Sequence, residues 1–443
     1  MRSTMRSVFA VAAIATAMTV VLAGCTPTAS SAGGELDASQ VSTKITDKPV
    51  TLTLSYVNDP PTKALIEGFQ DKYPNVTIDA TQIPFGDYIK SINRSMASST
   101  PPDIAQYSGG AMRTLIPAGL VYNLDPYREA YGWKDSFPAS SVETFTTDKS
   151  TGAKQLGSGS LYAVPGGMSV LGVFYNKELL AQAGVKELPE TLDEFSKDLK
   201  TIQSSGVAPF SLSALEVGGF QLWQALAEVL GPVDEYKEWV YGKPGASIEN
   251  EGAQQAAQKI VEWAEAGYIP SNANAVSDSD ALANFTQGKG AFLLTGNWNT
   301  SALMTSMGDN VGFFALPGKT ADSPAVAPGS SVAFSISSKS KHPNVAAAFL
   351  NYLSSPEAAQ MQVDGGYMPV NTSTEIKTKG VNSEVAANFA DVIDGSGIVS
   401  FPGSASPGMI DKLKPGIQGL ISGHTTPEEF LRSLQGEWSD FHD

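Results

Sequence analysis

The chain of 443 residues has one cysteine and three histidines. A single cysteine cannot close an intramolecular disulfide, and cysteine-ligated metal sites need several thiolates. The histidines His342, His424 and His442 lie in loop or tail settings and indicate neither a metal cluster nor a catalytic triad. We therefore predict no metal, no cofactor and no catalytic residues.

Basic residues are scarce as well. Lys and Arg total 29 against 45 Asp and Glu, a formal charge of −16. So acidic a surface repels phosphate backbones, which argues against nucleic acid as a partner. Beyond residue 25, no segment reaches membrane-spanning length without charged or turn residues. Internal repeats, heptads and phosphate-binding glycine motifs are absent from the sequence.

The lone cysteine, Cys25, ends the motif Leu-Ala-Gly-Cys. Arg2 and Arg6 precede an uncharged run over residues 8–22, which is typical of an export signal and too short to span a bilayer. The motif resembles the lipobox of bacterial lipoproteins. That resemblance implies cleavage before Cys25 and a diacylglyceryl group on its sulfur, which together with further acylation anchors a protein stably. An ordinary signal peptide is the alternative.

The segment after the cysteine, residues 25–48, is rich in Ser, Thr, Ala and Gly. This composition cannot bury a core and predicts a flexible tether. The whole chain is 42% hydrophobic, which is enough to bury a sizeable core. The part that remains after the tether is longer than one hydrophobic core usually serves, so two domains are expected.

The first part of that remainder alternates strand and helix patterns. Residues 50–57, 76–83 and 103–107 read as strands, and apolar residues at helical spacing lie between them, with Thr62 as a candidate cap of the first helix. This order predicts a parallel sheet, whose ligands bind beyond the carboxyl ends of its strands. The candidate binding residues at those ends are Asn58, Asp59, Tyr107, Ser108 and Gly109.

Later stretches carry equally local signals. Thr191 with Glu194 and Thr426 with Glu429 form capping boxes, which predict helix starts. Further strands are predicted at residues 170–175, 209–213, 288–296, 311–316 and 331–337, and an alanine-rich helix at 343–353. The glycine-bounded strand at 288–296 leads directly into Asn297 and Trp298.

Several short stretches resemble, in order, the extracellular solute-binding proteins of ABC importers, family 1, whose carbohydrate-binding cluster includes maltose-binding protein. They are Pro102-Asp103-Ile104, Leu161-Tyr162-Ala163-Val164-Pro165, Phe174-Tyr175-Asn176-Lys177, Pro189 to Phe195, Gly288 to Phe292, Gly296-Asn297-Trp298, Pro343 to Phe349 and Gly366-Tyr367-Met368-Pro369.

The resemblance implies an α/β, two-lobed periplasmic-binding-protein type II fold, each lobe a central sheet flanked by helices, joined by a hinge. The expected division is a signal peptide (1–24), a tether (25–48), a first lobe (45–164 plus 317–343) and a second lobe (165–316 plus 344–443). Hinge crossings are expected near residues 164–166, 315–317 and 341–343, where Pro and Gly occur.

The resemblance also implies a ligand site between the lobes. Trp298 matches a tryptophan that stacks on a sugar ring, and the alternative is a core tryptophan. Ser169 stands where maltose-binding protein has an acidic ligand contact, so maltose itself is not expected as the ligand. The remaining candidates are Asn297, Phe220, Gln221, Gly329 and Tyr367, besides the strand-end residues named above.

The implied function is a monomeric receptor without enzymatic activity, anchored outside the cytoplasm through Cys25. It would capture a carbohydrate, in particular an oligosaccharide, and deliver it to the permease subunits of an ABC importer. Two alternatives stay open. One is a secreted glycoside hydrolase, which needs two carboxylates across the scissile bond. The other is a binding protein for a non-sugar solute such as a polyamine.

Overall fold

The computed structural model describes residue 36 and residues 38–107, 109–330, 333–395 and 397–443. The predicted signal peptide, Cys25, half of the predicted tether and Ser108 lie outside this part. The strands are β1 Val50–Val57, β2 Val76–Ile83, β3 Ile104–Tyr107, β4 Thr146–Thr147, β5 Ser160–Leu161, β6 Val164–Pro165, β7 Leu171–Asn176, β8 Phe292–Gly296, β9 Val311–Phe314, β10 Val326–Pro328, β11 Ala333–Ile336 and β12 Gly397–Val399.

Helices cover both sheets and fill most of the chain between the strands. They are α1 Pro60–Lys72, α2 Phe85–Ala97, α3 Gly109–Leu115, α4 Asp125–Ala130, α5 Trp133–Ser136, α6 Ala139–Val142, α7 Lys177–Ala183, α8 Leu192–Ser204, α9 Gly218–Leu230, α10 Val233–Tyr241, α11 Glu251–Glu265, α12 Asp278–Thr286, α13 Thr300–Met307, α14 Pro343–Tyr352, α15 Pro356–Asp364, α16 Val381–Asp394, α17 Met409–Ser422 and α18 Pro427–His442.

The larger sheet has five strands in the order β2-β1-β3-β11-β6. Strand β1 pairs in parallel with both β2 and β3, as the strand–helix alternation predicts. Strand β11 joins antiparallel to β3 and to β6, a pairing between residues more than 160 positions apart. The carboxyl ends of β1 and β3 therefore share one edge, where the chain continues into residues 58–59 and 109.

The second sheet has three strands in the order β8-β7-β9, all antiparallel neighbours. Two smaller pairs, β4 with β5 and β10 with β12, accompany the two sheets. The predicted strand at residues 209–213 is wrong as an element: it contributes a single parallel bridge from Phe210 to Phe292 at the edge of β8. The chain passes from the larger sheet to the second between β6 and β7, and returns between β9 and β11.

Helix boundaries follow the capping chemistry of the sequence. Both predicted capping boxes are present: Thr191 starts α8 and Thr426 starts α18, each paired with a glutamate three residues on. Asn176 caps α7, which ends at Gly184 in a left-handed conformation. The prediction of Thr62 as a cap is wrong. Helix α1 starts earlier, because Pro60 is pre-set for a first helical position and Asp59 precedes it.

Two clusters of buried apolar side chains hold the structure together. The first covers the five-stranded sheet and one face of the second sheet, including Phe174 and Phe313. The second covers the other face, with Phe292 and Phe314, and the helices α8 to α11, α17 and α18. Helix α14 packs on the first cluster through Phe349, whose ring meets Phe69 and Phe334 edge-on. In the part of the chain described, no helix has both the length and the apolar character needed to cross a bilayer.

Candidate functional site

The carboxyl edge of the larger sheet holds a buried polar network around Asp59. Its Oδ2 accepts hydrogen bonds from Thr62 Oγ1 at 2.9 Å and from Gln106 Nε2 at 3.0 Å. Gln106 Oε1 in turn accepts the Val57 N–H at 3.0 Å, so the amide is held from both ends. The network brings the end of β1 to the end of β3, as the parallel arrangement predicts.

Tyr367 adjoins this network from a distant part of the chain. Burial raises the pKa of the Asp59 carboxyl, while interactions with Tyr367, Gln106 and Thr62 act in the opposite direction. Burial, and then the charge of Asp59, raise the pKa of the Tyr367 hydroxyl well above its ordinary value. The Tyr367 hydroxyl therefore faces the Asp59 carboxyl, whose Oδ1 has no hydrogen-bond partner in the described part of the chain.

A second group of predicted residues meets where the chain crosses from β6 to β7. The Asn297 side chain accepts the Val170 N–H at 3.1 Å and donates to the Met168 carbonyl at 3.2 Å. Ser169 Oγ accepts the Ser330 N–H at 3.0 Å and is itself hydrogen-bonded to the Ser330 carbonyl. The backbone of Gly329 lies so close to the Ser169 carbonyl that a β-carbon would overlap it.

These contacts tie together three segments of the crossing region, which explains why the side chains are buried. The side chains of Asn297 and Ser169 form their hydrogen bonds with backbone groups of Val170 and Ser330. In this structure they therefore hold the backbone of the crossing region in place. Tyr367 lies against Gly167 of the same crossing, where a β-carbon would press on its ring. The structure thus brings Asp59, Ser169, Asn297, Gly329 and Tyr367 into one region around the crossing.

Trp298 follows β8 on a short 3-10 helix, Asn297–Asn299. Its ring lies directly over the Cα of Gly296, where any β-carbon would overlap it. Phe401 meets the indole at a centroid distance of 6.2 Å and an angle of 67°, an edge-to-face arrangement. The indole is only partly buried, unlike the fully buried Trp133, Trp223 and Trp239. Trp298 thus packs against the margin of the second apolar cluster and keeps part of its indole exposed.

Beside Trp298 lies a small cavity of about 30 Å³ whose lining is about half polar and half apolar. The hydrogen-bonding residues around it are Ser213, Gln221, Asp278, Thr295 and Asn299. Asp278 is the only ionisable residue among those described in the lining, and burial raises the pKa of its carboxyl. The Ser213 hydroxyl donates to that carboxyl, so the acid is already held in place. Hydroxyl and amide groups beside an aromatic face are the groups that bind sugars, and at about 30 Å³ the cavity itself has room for about one water-sized molecule.

Other predicted residues lie apart from this cavity. Phe220 is buried in the second apolar cluster, whereas its neighbour Gln221 reaches the cavity. Asn58 is exposed at the end of β1. Gly109 begins α3 and packs so closely on Ser404 that a β-carbon would overlap its hydroxyl. For Tyr107 the structure gives the backbone at the end of β3, and Ser108 and Cys25 lie outside the described residues.

Sequence reasoning missed Phe401 and Gln106. Phe401 stands before Pro402-Gly403 in a loop without periodicity, so no local pattern singles it out. Gln106 lies inside β3, where an amide among apolar residues is a signal of a buried polar contact that could have been noticed. Within the described ranges no group of three or more His, Cys, Asp or Glu residues is arranged to hold a metal ion.

Comparison with known proteins finds relatives that are named as sugar-binding proteins. The chain is 25% identical to the multiple sugar-binding protein of Streptococcus mutans over 77% of its own length and 80% of that protein. It is 23% identical to the diacetylchitobiose binding protein DasA of Streptomyces coelicolor, covering 79% of each. A solved chitin oligosaccharide binding protein superposes with a TM-score of 0.75 at 21% identity, covering 89% of this chain and 99% of that one.

The structural match confirms the predicted α/β, two-lobed fold. Residues 56–360, well over half of the chain, match the family described as bacterial extracellular solute-binding protein. This match includes β2 to β11 and the residues around Trp298. The chain therefore belongs to the bacterial extracellular solute-binding proteins.

Proposed function

We propose that this protein captures a carbohydrate, an oligosaccharide in particular, between its two lobes and delivers it to an ABC importer. The observation that carries the proposal is Trp298. Its partly exposed indole packs over Gly296 and contacts the ring of Phe401. The indole also adjoins a small cavity whose polar lining residues carry hydroxyl, amide and carboxyl groups. An indole covers the apolar C–H face of a sugar ring, while the neighbouring polar groups bind its hydroxyls.

The ligands in the names of the relatives support a sugar as the ligand of this protein. Multiple sugars, diacetylchitobiose and chitin oligosaccharide are all carbohydrates of one or more rings. They differ from one another, so the proposal is restricted to the chemical class. Aromatic stacking is tolerant of sugar identity, and the hydrogen-bonding groups around Gln221 and Asn299 would set the preference.

The proposed role involves binding without turnover, in line with relatives that are binding proteins. A glycoside hydrolase would need one carboxyl to donate a proton and a second to attack or activate water. Asp59 and Asp278 are both buried and already hydrogen-bonded to Thr62 and to Ser213, which disfavours them as such a pair. A polyamine receptor is the other alternative, and Asp278 is the acidic group it would use.

We also propose the cellular setting implied by the sequence. Cleavage before Cys25 and lipidation of its sulfur would anchor a monomeric receptor on the outer face of the cell membrane, with residues 25–48 as a tether. There it would present the bound sugar to the permease subunits. The two lobes would divide near residues 164 and 317, as stated above. Because α14 packs on the first apolar cluster, we propose that the return to the second lobe lies beyond this helix rather than at residues 341–343.

A thermal-shift screen of the purified domain against mono- and oligosaccharides, followed by calorimetry, tests the proposal. A ligand that binds only the folded state raises the melting temperature by an amount that grows with the logarithm of its concentration relative to Kd. We expect one-to-one binding of an oligosaccharide and no new product after long incubation. Released product would favour the hydrolase, and a response to spermidine but to no sugar would favour the polyamine receptor.

A further inference from the structure

Arg113 is the most deeply buried cationic group described in the structure, with 2% of its surface exposed. It lies on α3, immediately after the predicted ligand residues 107–109. No carboxylate forms an ion pair with it among the described residues. A charge that is buried without a counter-ion is costly, so its partners need an explanation.

Backbone carbonyls replace the missing carboxylate. The guanidinium Nε donates to the Ser404 carbonyl at 2.6 Å, and Nη2 donates to the Val240 carbonyl at 2.9 Å. Nη1 donates to the carbonyls of Ala153 at 2.9 Å and Lys154 at 2.7 Å. The ring of Phe441 lies 5.5 Å from the guanidinium carbon. Burial lowers the pKa of Arg113 to about 9, which still leaves the group protonated at neutral pH.

Two of these acceptors, Val240 and Ser404, belong to a different part of the molecule from α3, whereas Ala153 and Lys154 lie within residues 45–164 as α3 does. Met112 and Leu115, on the same helix as Arg113, are buried in the first apolar cluster. Val240 is buried in the second cluster, near the carboxyl end of α10, where helix carbonyls lack intrahelical partners and attract cations. Ser404 ends the turn Pro402–Ser404, three residues after the Phe401 that contacts Trp298.

The link runs between the two halves of the proposed sugar site. At the first end, α3 continues from β3 and residues 107–109. At the second end, the turn at 402–404 continues from Phe401, whose ring contacts Trp298. Gly109 and Gly110 permit the approach, since β-carbons there would overlap Ser404 and the Gly403 carbonyl.

We propose that Arg113 is a positioning residue that fastens the two lobes around bound sugar and slows its release. The inference rests on the proposed sugar-binding function. In the structure the guanidinium binds four carbonyls from three segments, two of them, Val240 and Ser404, in the proposed second lobe. In an opened arrangement water would have to replace the contacts with Val240 and Ser404, while those with Ala153 and Lys154 would move with α3. The expected effect is therefore on the dissociation rate of the sugar rather than on its association rate.

The test measures sugar binding and release by stopped-flow fluorescence on the purified domain, with the best sugar from the thermal-shift screen. Arg113→Met keeps the length of the side chain and removes every donor. We expect its release rate to rise about tenfold or more, with an association rate within about twofold of wild type. Arg113→Lys, which keeps the charge and fewer donors, should fall between the two. Arg94→Met, an exposed position on α2, is the matched control and should behave as wild type.

Hydrogen exchange on the wild-type protein supplies a measurement that needs no variant. Sugar should increase protection in residues 109–116, 238–243 and 400–406 together. Release at the wild-type rate from folded Arg113→Met would overturn the inference, and so would equal protection of these segments with and without sugar. A wild-type protein that binds none of the sugars would instead overturn the proposed function.

Discussion

At the scale of single residues, substitution of Trp298 is the most direct test of the proposed sugar binding. Trp298→Ala removes the stacking surface, and we expect binding to weaken by about 1–3 kcal/mol, or roughly tenfold to a hundredfold in Kd. Trp298→Phe should retain part of the affinity, because a smaller ring still covers a sugar face. Calorimetry on the purified variants measures the change.

The same variant distinguishes a binding residue from a core residue. A tryptophan of the core costs about 3–5 kcal/mol of folding free energy when it is cut to alanine. Because the indole is only partly buried, the unliganded Trp298→Ala domain should unfold in denaturant close to wild type. Strong destabilisation with normal affinity in the folded fraction would remove Trp298 from the site.

Glu228 gives a second residue-scale prediction, on the pH dependence of stability. It is 3% exposed, its Oε1 accepts from Gln224 Nε2 at 2.6 Å, and its Oε2 has no partner among the described residues. Burial raises the pKa of this carboxyl well above its ordinary value. The folded state therefore keeps the proton to higher pH than the unfolded state does.

The sign of the effect follows from proton linkage. With a raised pKa in the folded state, the favourable contribution is complete below the ordinary glutamate pKa and is lost as the pH rises toward the raised value. Glu228→Gln stays neutral, so we expect it to exceed wild type in stability at pH 7 and to approach wild type near pH 4. Denaturant melts across this range measure it. Glu235→Gln, an exposed position on α10, should show no such gain.

At the scale of secondary-structure elements, the end of β8 sets the direction of the tryptophan. The ring occupies the space where a residue-296 side chain would start, so Gly296→Ala must displace it. We expect sugar affinity to fall about as much as in Trp298→Ala, with far-ultraviolet circular dichroism unchanged. Calorimetry of both variants side by side measures this.

Gly436→Ala is the matched control for that substitution. Gly436 lies exposed on α18 and a β-carbon there meets no atom within 4 Å. Alanine favours a helix by up to about 1 kcal/mol over glycine, so this variant should gain stability and keep its affinity. Normal sugar binding by Gly296→Ala would mean that the seat of the indole on β8 is not needed for the site.

Elements with local signals could be predicted from sequence, and elements defined by distant partners could not. Alternation predicted β1 and β2 with their bounds, and the capping boxes predicted the starts of α8 and α18. Strand β6 has two residues and exists only because β11, far along the chain, pairs with it. The apolar stretch around Phe210 reads as a strand but finds one bridge, since β8 already pairs with β7.

The residues of the candidate site likewise fall into those that local sequence signals could predict and those that they could not. A residue that follows a strand can be placed at the edge of a sheet from sequence alone, which is the basis for Asp59. For Trp298 the position after β8 supported a role that the family resemblance implied. The edge-to-face contact of Phe401 and the hydrogen bonds of Asn297 depend on segments about 100 or more residues away. Such contacts have no periodicity, so the sequence could not predict whether these side chains face a ligand or hold the backbone.

At the scale of the whole molecule, the anchor is the first property to test. Cys25→Ser removes the only sulfur that could carry a lipid. We expect the protein to leave the membrane fraction, or to accumulate as an uncleaved precursor, while the purified domain binds sugar as before. Cell fractionation and intact mass measure both effects. Wild-type protein that is free outside the cell and carries no lipid mass on Cys25 would contradict the anchor.

The second property of the whole molecule is closure of the lobes on sugar. The chain crosses between the two sheets at residues 165–171 and again between residues 314 and 333. Few backbone segments therefore connect the two sheets. Ligand contacts from both lobes are made only when the lobes approach, so sugar should shift the population toward the closed form. We expect small-angle scattering to give a smaller radius of gyration at saturating sugar.

The variants described above make that measurement specific. Trp298→Ala should need more sugar to reach the same compact radius, because it weakens binding without altering the hinge. Arg113→Met should stay larger than wild type at full occupancy, because the lobes lose contacts that hold them together. Gly436→Ala should follow wild type throughout. A radius that does not change at saturating sugar in the wild type would count against closure, while calorimetry on the same sample would still report whether sugar binds.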